Sequence, residues 1–380
     1  MSPTFIAALL GAASMALTAA SPALAATAQR SSFGTLPDGR AVPAVTLSNG
    51  HGVSATVIAY GASLQSLMLP DRTGKAADIV VGYDHLADFL AKPQYFGATV
   101  GRVANRIARG RFTLDGKAYQ TPVNDGANAL HGGNKGFDKV LWEITEVKNG
   151  AAASVTLRYV SPDGDMGYPG TLTTYATYSL DEQGHLTIDY RATTDRATVV
   201  NISNHTYWNL AGTGSANGAM GHVVTIPADR YTPTDAGSIP TGTLAPVAGT
   251  VFDFRQPHVI AERVRDAHDQ QIAFARGYDH NWVIGAKVTA DTHLMAKVSD
   301  PGSGRSFELW SNQPGLQFYS GNFFDATSRG KNAQVLRMGD AIVMEPQLFP
   351  DAPNQPSFPS ARLEPGQTYH NVIVYKFTAN

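Results

Sequence analysis

The sequence predicts an all-β fold, an antiparallel sandwich or barrel, and three observations carry that prediction. Glycine (37) and proline (22) interrupt the 380 residues so often that most segments between turns are too short for helices. Many of these segments alternate apolar with polar residues, or are rich in Val, Thr and Tyr, which suit a pleated, half-buried surface. No strand-to-helix alternation of the kind that builds a parallel sheet is present.

The elements follow in chain order. Residues 84–91 read as one short helix. Residues 153–160 and 171–180 read as strands from their Val, Thr and Tyr content. Over residues 185–192, Leu186, Ile188 and Tyr190 alternate with Thr187, Asp189 and Arg191, the period of a strand with one buried face. Residues 257–265 read as a second short helix. Residues 371–377 (NVIVYKF) read as a strand buried on both faces. Turn signals such as Pro162-Asp163-Gly164, Asp181-Glu182-Gln183-Gly184 and Pro301-Gly302-Ser303-Gly304 separate the strands. No repeat, low-complexity tract or linker divides the chain, so residues 27–380 read as one domain.

The N-terminus carries a separate signal. Residues 5–20 (FIAALLGAASMALTAA) form an uncharged apolar run, followed by Ser21-Pro22-Ala23-Leu24-Ala25 with small residues at Ala23 and Ala25. This is the pattern of a secretory signal peptide over residues 1–25, although no Lys or Arg precedes the run. The run is shorter than the roughly 20 apolar residues of a spanning helix. The expectation is an exported protein, periplasmic or secreted, with no membrane attachment after cleavage.

Composition excludes several classes. A net charge of −2 gives no electrostatic reason for a nucleic-acid partner. The absence of cysteine excludes disulfides, thiolate metal sites and a cysteine nucleophile. The 11 histidines show neither H-x-x-x-H nor H-E-x-x-H spacing, so no metal is expected. No Gly-rich loop opens a helix and no G-x-S-x-G elbow occurs, so no nucleotide cofactor and no serine-hydrolase chemistry are expected. Nothing in the pattern sets an oligomeric state.

Candidate chemistry gathers in five segments. In residues 101–107 (GRVANRI), Asn105 and Arg106 can present a fork of donors to sugar hydroxyls; the plain alternative is a surface strand with solvated arginines. In residues 128–133 (NALHGG), His131 precedes two glycines that permit close backbone approach to a ligand; the alternative is a turn with an incidental histidine. Residues 201–210 (NISNHTYWNL) mix amides, His205 and aromatics as sugar sites do. Their N-x-Ser/Thr sequons at Asn201 and Asn204 are read as chance matches in a buried strand. Residues 277–282 (GYDHNW) contain Asp279. Residues 344–347 (MEPQ) place Glu345 at the end of an apolar strand, where desolvation would raise its pKa and suit it as a base near neutral pH; a satisfied core carboxylate is the alternative.

Taken together these segments resemble the aldose 1-epimerase (galactose mutarotase) family, in order, over nearly all of the chain after the N-terminal run. The matching stretches are GRVANRIARGRFTLDGKAY (101–119), NALHGGNKGFDKVLWE (128–143), NISNHTYWNLAG (201–212), GYDHNW (277–282), NQPGLQFYSGNF (312–323) and MEPQLFPDAPNQPSFP (344–359). The resemblance implies a large antiparallel β-sandwich of the galactose mutarotase type, with an open cleft for a small-molecule aldose. It implies Glu345 as general base and His205 as general acid. It implies His131, Asp279, Arg106 and Asn105 as substrate-binding residues, with Gln317 and Tyr207 as further sugar contacts. Pro346 departs from the pattern, where a small polar residue is expected, and removes a backbone N–H beside the base.

The implied reaction needs one base and one acid and no cofactor. The base takes the anomeric hydroxyl proton while the acid protonates the ring oxygen. The free aldehyde turns about C1–C2 and the ring recloses on its other face. Glu345 is expected to start ionised and His205 protonated. Three other readings use the same residues. A glycosidase would pair Asp279 with Glu345, a noncatalytic sugar-binding protein would not need the Glu–His pair, and a sugar-phosphate epimerase would need a cationic pocket such as Arg109 and Arg111.

Overall fold

The computed structural model describes residues 1–4 and 25–380. The expected signal segment therefore lies almost wholly outside the described residues. Two large antiparallel sheets dominate the structure. One has nine strands, in the order Glu143–Lys148, Ala152–Ser161, Leu172–Asp181, His185–Thr194, Tyr369–Ala379, Arg305–Ser311, His293–Ser299, Val223–Thr225 and His258–Val259. The other has seven: Ala245–Pro246, Arg230–Thr232, Asp279–Val283, Gly315–Tyr319, Ile342–Gln347, Tyr207–Trp208 and Val80–Val81. A five-stranded sheet from Thr27–Thr35 to Ala76–Asp78 closes one flank.

The two large sheets pack face to face. From the nine-stranded sheet, Leu186, Ile188, Tyr190, Ile373, Tyr375 and Phe377 turn inward. From the seven-stranded sheet, Trp208, Trp282, Leu316, Phe318, Ile342 and Met344 meet them. The Trp208 and Tyr375 rings lie 4.7 Å apart across the interface. This is a β-sandwich core, built from alternate residues of each strand. Aromatic pairs of this kind add about 0.5–1.5 kcal/mol each beyond the apolar area they bury.

The strands expected over residues 153–160, 171–180 and 185–192 are present as Ala152–Ser161, Leu172–Asp181 and His185–Thr194, with the expected inward alternation in the last. The strand expected over 371–377 spans Tyr369–Ala379, but only one of its faces is buried: Asn371, Ile373, Tyr375 and Phe377 are buried, while Val372, Val374 and Lys376 are half-buried. Its other side faces outward from the sandwich, so valines there reflect strand propensity rather than core position. The first expected helix appears as Leu86–Ala91. The second does not: residues 257–265 hold a two-residue strand, His258–Val259, and a 3₁₀ turn, Ile260–Glu262. Pairing of Val223 and Val224 with Val259 and His258 takes that segment into the sheet edge. A helix instead forms at Gln270–Ala275, where the Asp269 carboxylate accepts the Gln271 N–H as an N-cap. Among the described residues no helix is long and apolar enough to cross a membrane.

Candidate active site

Because strand side chains alternate, the seven-stranded sheet has a second face, and that face carries the polar residues. Asp279 and Asn281 point opposite to His280 and Trp282, Gln317 and Tyr319 opposite to Leu316 and Phe318, and Glu345 opposite to Met344. The register then aligns them across strands. Asn281 pairs with Gln317 and Gln317 with Glu345, while Asp279 pairs with Tyr319, Tyr319 with Val343, and Val343 with Tyr207.

Two short ribbons supply the remaining groups. Arg106–Ile107 pairs with Ala129–Leu130, which sets Arg106 beside the turn that carries His131. Ser203–His205 pairs with Ala98–Val100, and after Thr206 the chain changes partner and continues as Tyr207–Trp208 in the large sheet. His205 and Tyr207 thus share a face, with ring centroids 5.0 Å apart.

The result is an open cleft of about 570 Å³. Asn105, Arg106, His131, His205, Tyr207, Asp279 and Glu345 line it. Gln317 stands behind this lining and donates to Asp279 Oδ1 at 2.7 Å. All eight residues singled out in the sequence therefore come together. At the centre, His205 Nε2 lies 3.5 Å from Glu345 Oε1. His131 packs edge-on against His205, ring centroids 5.0 Å apart. Arg106 sits between two carboxylates: Nε donates to Asp125 Oδ2 at 2.7 Å, and Nη1 lies 3.5 Å from Asp279 Oδ2.

Burial sets the electrostatics. Glu345 is 2% exposed. Burial pushes its carboxyl well above the usual carboxylate range; the neighbouring Asp279 adds to the rise and Arg106 opposes it. Burial takes the His205 imidazole down to about 3. His131 is driven well below its ordinary value by burial, with His205, Arg106 and Lys139 adding to the effect. Burial also works against the Arg106 guanidinium, but Asp279 and Asp125 outweigh it and the net shift is upward. The Glu345–His205 pair therefore favours an uncharged form over the carboxylate–imidazolium start expected from the sequence, because burial penalises both charges.

Three polar atoms at the centre, His205 Nδ1, Glu345 Oε2 and Gln317 Oε1, have no partner among the described residues. Unpartnered buried groups are costly, about 1–3 kcal/mol each. Pro346 contributes no N–H; its carbonyl accepts from Ser203 Oγ and Asn371 Nδ2 instead.

Some sequence readings need correction. The arginines of residues 101–107 are not solvated: Arg102 is buried and donates to Pro169 O, Gly170 O and Ser161 Oγ at 2.9, 2.8 and 2.6 Å, a structural clamp away from the cleft. The glycines after His131 do not make room for a ligand. A Cβ on Gly132 would fall 2.0 Å from Gly101 O, so the close approach is between two stretches of this chain's own backbone. Asn204 and Asn201 are buried, and Asn204 Nδ2 donates to Gly97 O, as a chance sequon requires. Arg109 and Arg111 lie outside the cleft lining, and both are exposed.

The cleft also holds residues that no sequence signal singles out. Tyr95 packs on both histidines, with centroids 4.7 Å from His131 and 5.7 Å from His205. It follows Pro93 in an irregular loop, and no periodicity points to it. Tyr319 and Phe323 stack at the mouth, 6.0 Å apart. Tyr319 is legible in principle, since it lies two residues beyond Gln317 on the same strand face. Asp125 is hidden in a turn.

Comparison with known proteins agrees with this fold. The family described as "Aldose 1-epimerase" matches residues 43–376. Galactose mutarotase of Mus musculus is 45% identical over 349 residues, 92% of this chain and 98% of the relative. Aldose 1-epimerase of Escherichia coli is 36% identical over 346 residues, 90% of this chain and 97% of the relative. Among solved structures, galactose 1-epimerase from Lactobacillus acidophilus superposes with a TM-score of 0.80 at 28% identity, covering 92% of this chain and 98% of that one. With its fold and these relatives in agreement, the chain belongs to the aldose 1-epimerase family.

Proposed function

We propose that the chain interconverts the α and β anomers of free aldoses of the glucose or galactose type, with Glu345 and His205 as the proton-transfer pair. The observation that carries this reading is the facing of Glu345 Oε1 and His205 Nε2 across 3.5 Å at the floor of an open, aromatic-walled cleft. One proton shared between them serves the reaction. The uncharged pair and the carboxylate–imidazolium pair hold the same number of protons and differ by one transfer. A sugar hydroxyl donating to Glu345 favours the carboxylate, and a ring oxygen accepting from His205 favours the imidazolium, so substrate draws the pair toward its charged form. Glu345 then takes the anomeric hydroxyl proton as His205 protonates the ring oxygen. The ring opens, C1–C2 rotates, and the reverse transfers close it. Asp279, held by Gln317 and Arg106, and Arg106 itself, held by Asp125, fix the sugar hydroxyls so that the reacting atoms stay aligned. Asp279 is engaged by these partners, which suits a binding role and argues against its use as the second carboxylate of a glycosidase. Arg109 and Arg111, being outside the cleft lining, supply it with no cationic pocket for a sugar phosphate.

Polarimetry tests the reading. Freshly dissolved α-D-glucose and α-D-galactose should relax to the ordinary endpoint much faster with the chain than in buffer. Unchanged relaxation across a panel of hexoses and pentoses would sink it. We further propose export to the periplasm or medium, supported by the apolar run at 5–20 and the small residues Ala23 and Ala25. N-terminal sequencing of the mature protein decides this: a chain still beginning at Met1 refutes it.

A further inference from the structure

His131, His205 and Glu345 bring their ligand atoms within 4.8 Å of one another, all three residues buried, a donor set that on composition alone would suit a divalent cation. The hydrogen bonds behind His131 argue otherwise. The backbone N–H of Asn105 donates to His131 Nδ1 at 3.1 Å, and the backbone N–H of His131 donates in return to Asn105 O at 3.0 Å. A backbone N–H can only donate, so Nδ1 must be the bare, accepting nitrogen. A neutral imidazole then carries its proton on Nε2. Protonating Nδ1 would set two donors against each other, and burial already disfavours the charged ring. The rest of the ring lines the cleft, so the Nε2 proton is available to a bound ligand.

Metal-bound histidines have the opposite arrangement. They ligate through a bare nitrogen and donate the other N–H to a carboxylate or carbonyl. His131 presents the proton to the cleft and accepts from the protein, so ligation would require either a doubly deprotonated ring or loss of the Asn105 bond. The Asn105 backbone makes this bond in a left-handed conformation, φ 61°, which Asn tolerates better than most residues. Its side-chain Oδ1 is meanwhile engaged by the Arg106 N–H at 2.8 Å.

We infer that the Asn105 main chain locks His131 in its Nε2–H form, making it a fixed hydrogen-bond donor to a sugar oxygen and denying the His131–His205–Glu345 cluster to divalent cations. Asn105 is thus a positioning residue acting through His131. The donor half rests on the aldose reading above; the tautomer half does not.

Nitrogen-15 NMR of the labelled full chain, without sugar, tests the lock directly. The His131 ring should show an unprotonated Nδ1 and a protonated Nε2, unchanged by added zinc chloride. Asn105→Gly keeps both the N–H and the left-handed φ and should give the same signature. An Nδ1–H tautomer or an imidazolium at neutral pH overturns the proposal. So does inhibition by micromolar zinc that EDTA relieves and His131→Gln abolishes. For the donor half, His131→Gln places an N–H near the Nε2 position whereas His131→Met fills similar space with no donor. KM for the aldose should be roughly tenfold or more higher in the Met variant than in the Gln variant, the scale of a buried hydrogen bond. Equal KM values overturn the donor role while leaving the NMR result to stand or fall alone.

Discussion

At the scale of single residues, the cleft is a set of side chains whose neighbours hold them in one state each. Gln317 and Arg106 hold Asp279, Asp125 holds Arg106, and the Asn105 backbone holds His131. Glu345 and His205, the proton-transfer pair proposed above, keep unpartnered atoms at the centre. Replacing either by a neutral near-isostere, Glu345→Gln or His205→Asn, is expected to lower kcat about 10²–10⁴-fold with the fold intact, read by polarimetry and circular dichroism together. Near-native turnover in one variant removes that residue from the chemistry. Glu345 also has a stability consequence. Its folded-state pKa lies above its unfolded value, so its contribution to stability is fully present below the unfolded pKa and is lost as pH rises through the raised one. Glu345→Gln should accordingly be more stable than wild type at pH 7, by roughly 0.5–2 kcal/mol, a gain typical of relieving a functional site. The advantage should shrink toward pH 4, where the glutamate becomes protonated in the unfolded chain as well. Denaturant melts at the two pH values check this, and a variant less stable at pH 7 contradicts it.

At the scale of elements, what the sequence makes legible is alternation. The strand at 185–192 shows its buried face by period alone, and the same period separates Asp279 from His280 and Gln317 from Phe318. The sequence does not show which face of a strand meets the core and which lines the cleft when both are rich in aromatics, as in Gly315–Tyr319, where every residue is buried. Helices are hard to read where they are short: residues 257–265 are drawn into a sheet edge by pairing with Val223 and Val224, a contact no local signal contains. His131 and Arg106 are recognisable as polar residues in apolar company, but their supports are not, because Asp125 and Tyr95 come from irregular loops. Gly132 illustrates the same limit. Its left-handed φ of 92°, and the 2.0 Å that would separate a side-chain Cβ there from Gly101 O, make it a fixed point under His131. Gly132→Ala should destabilise the chain by at least about 2 kcal/mol and depress activity through a displaced His131. A variant with unchanged melting behaviour would mean the two backbones can separate freely.

At the scale of the whole molecule, the sandwich divides its labour between the two sides of one sheet. The inner side of the seven-stranded sheet supplies Trp208, Trp282, Phe318 and Met344 to the core, and the outer side supplies Tyr207, Asp279, Gln317 and Glu345 to the cleft. A one-residue slip of any of these strands would exchange the two sets, so the register that packs the core is also the register that assembles the site.

The order of strands in that sheet has a kinetic consequence. Neighbours in the nine-stranded sheet over Ala152–Ser161, Leu172–Asp181 and His185–Thr194 are joined by short connections, whereas Tyr207 lies against Val343 and Val81, segments far away along the chain. Closing distant segments is slow, because chain entropy is lost before any contact repays it. During refolding from denaturant, the hairpins should therefore form early and catalytic competence should arrive last, in a phase later than the rise of β-sheet circular dichroism. The enzyme would pass through a state with its scaffold largely assembled and its chemistry still absent, and double-jump polarimetry would time the gap.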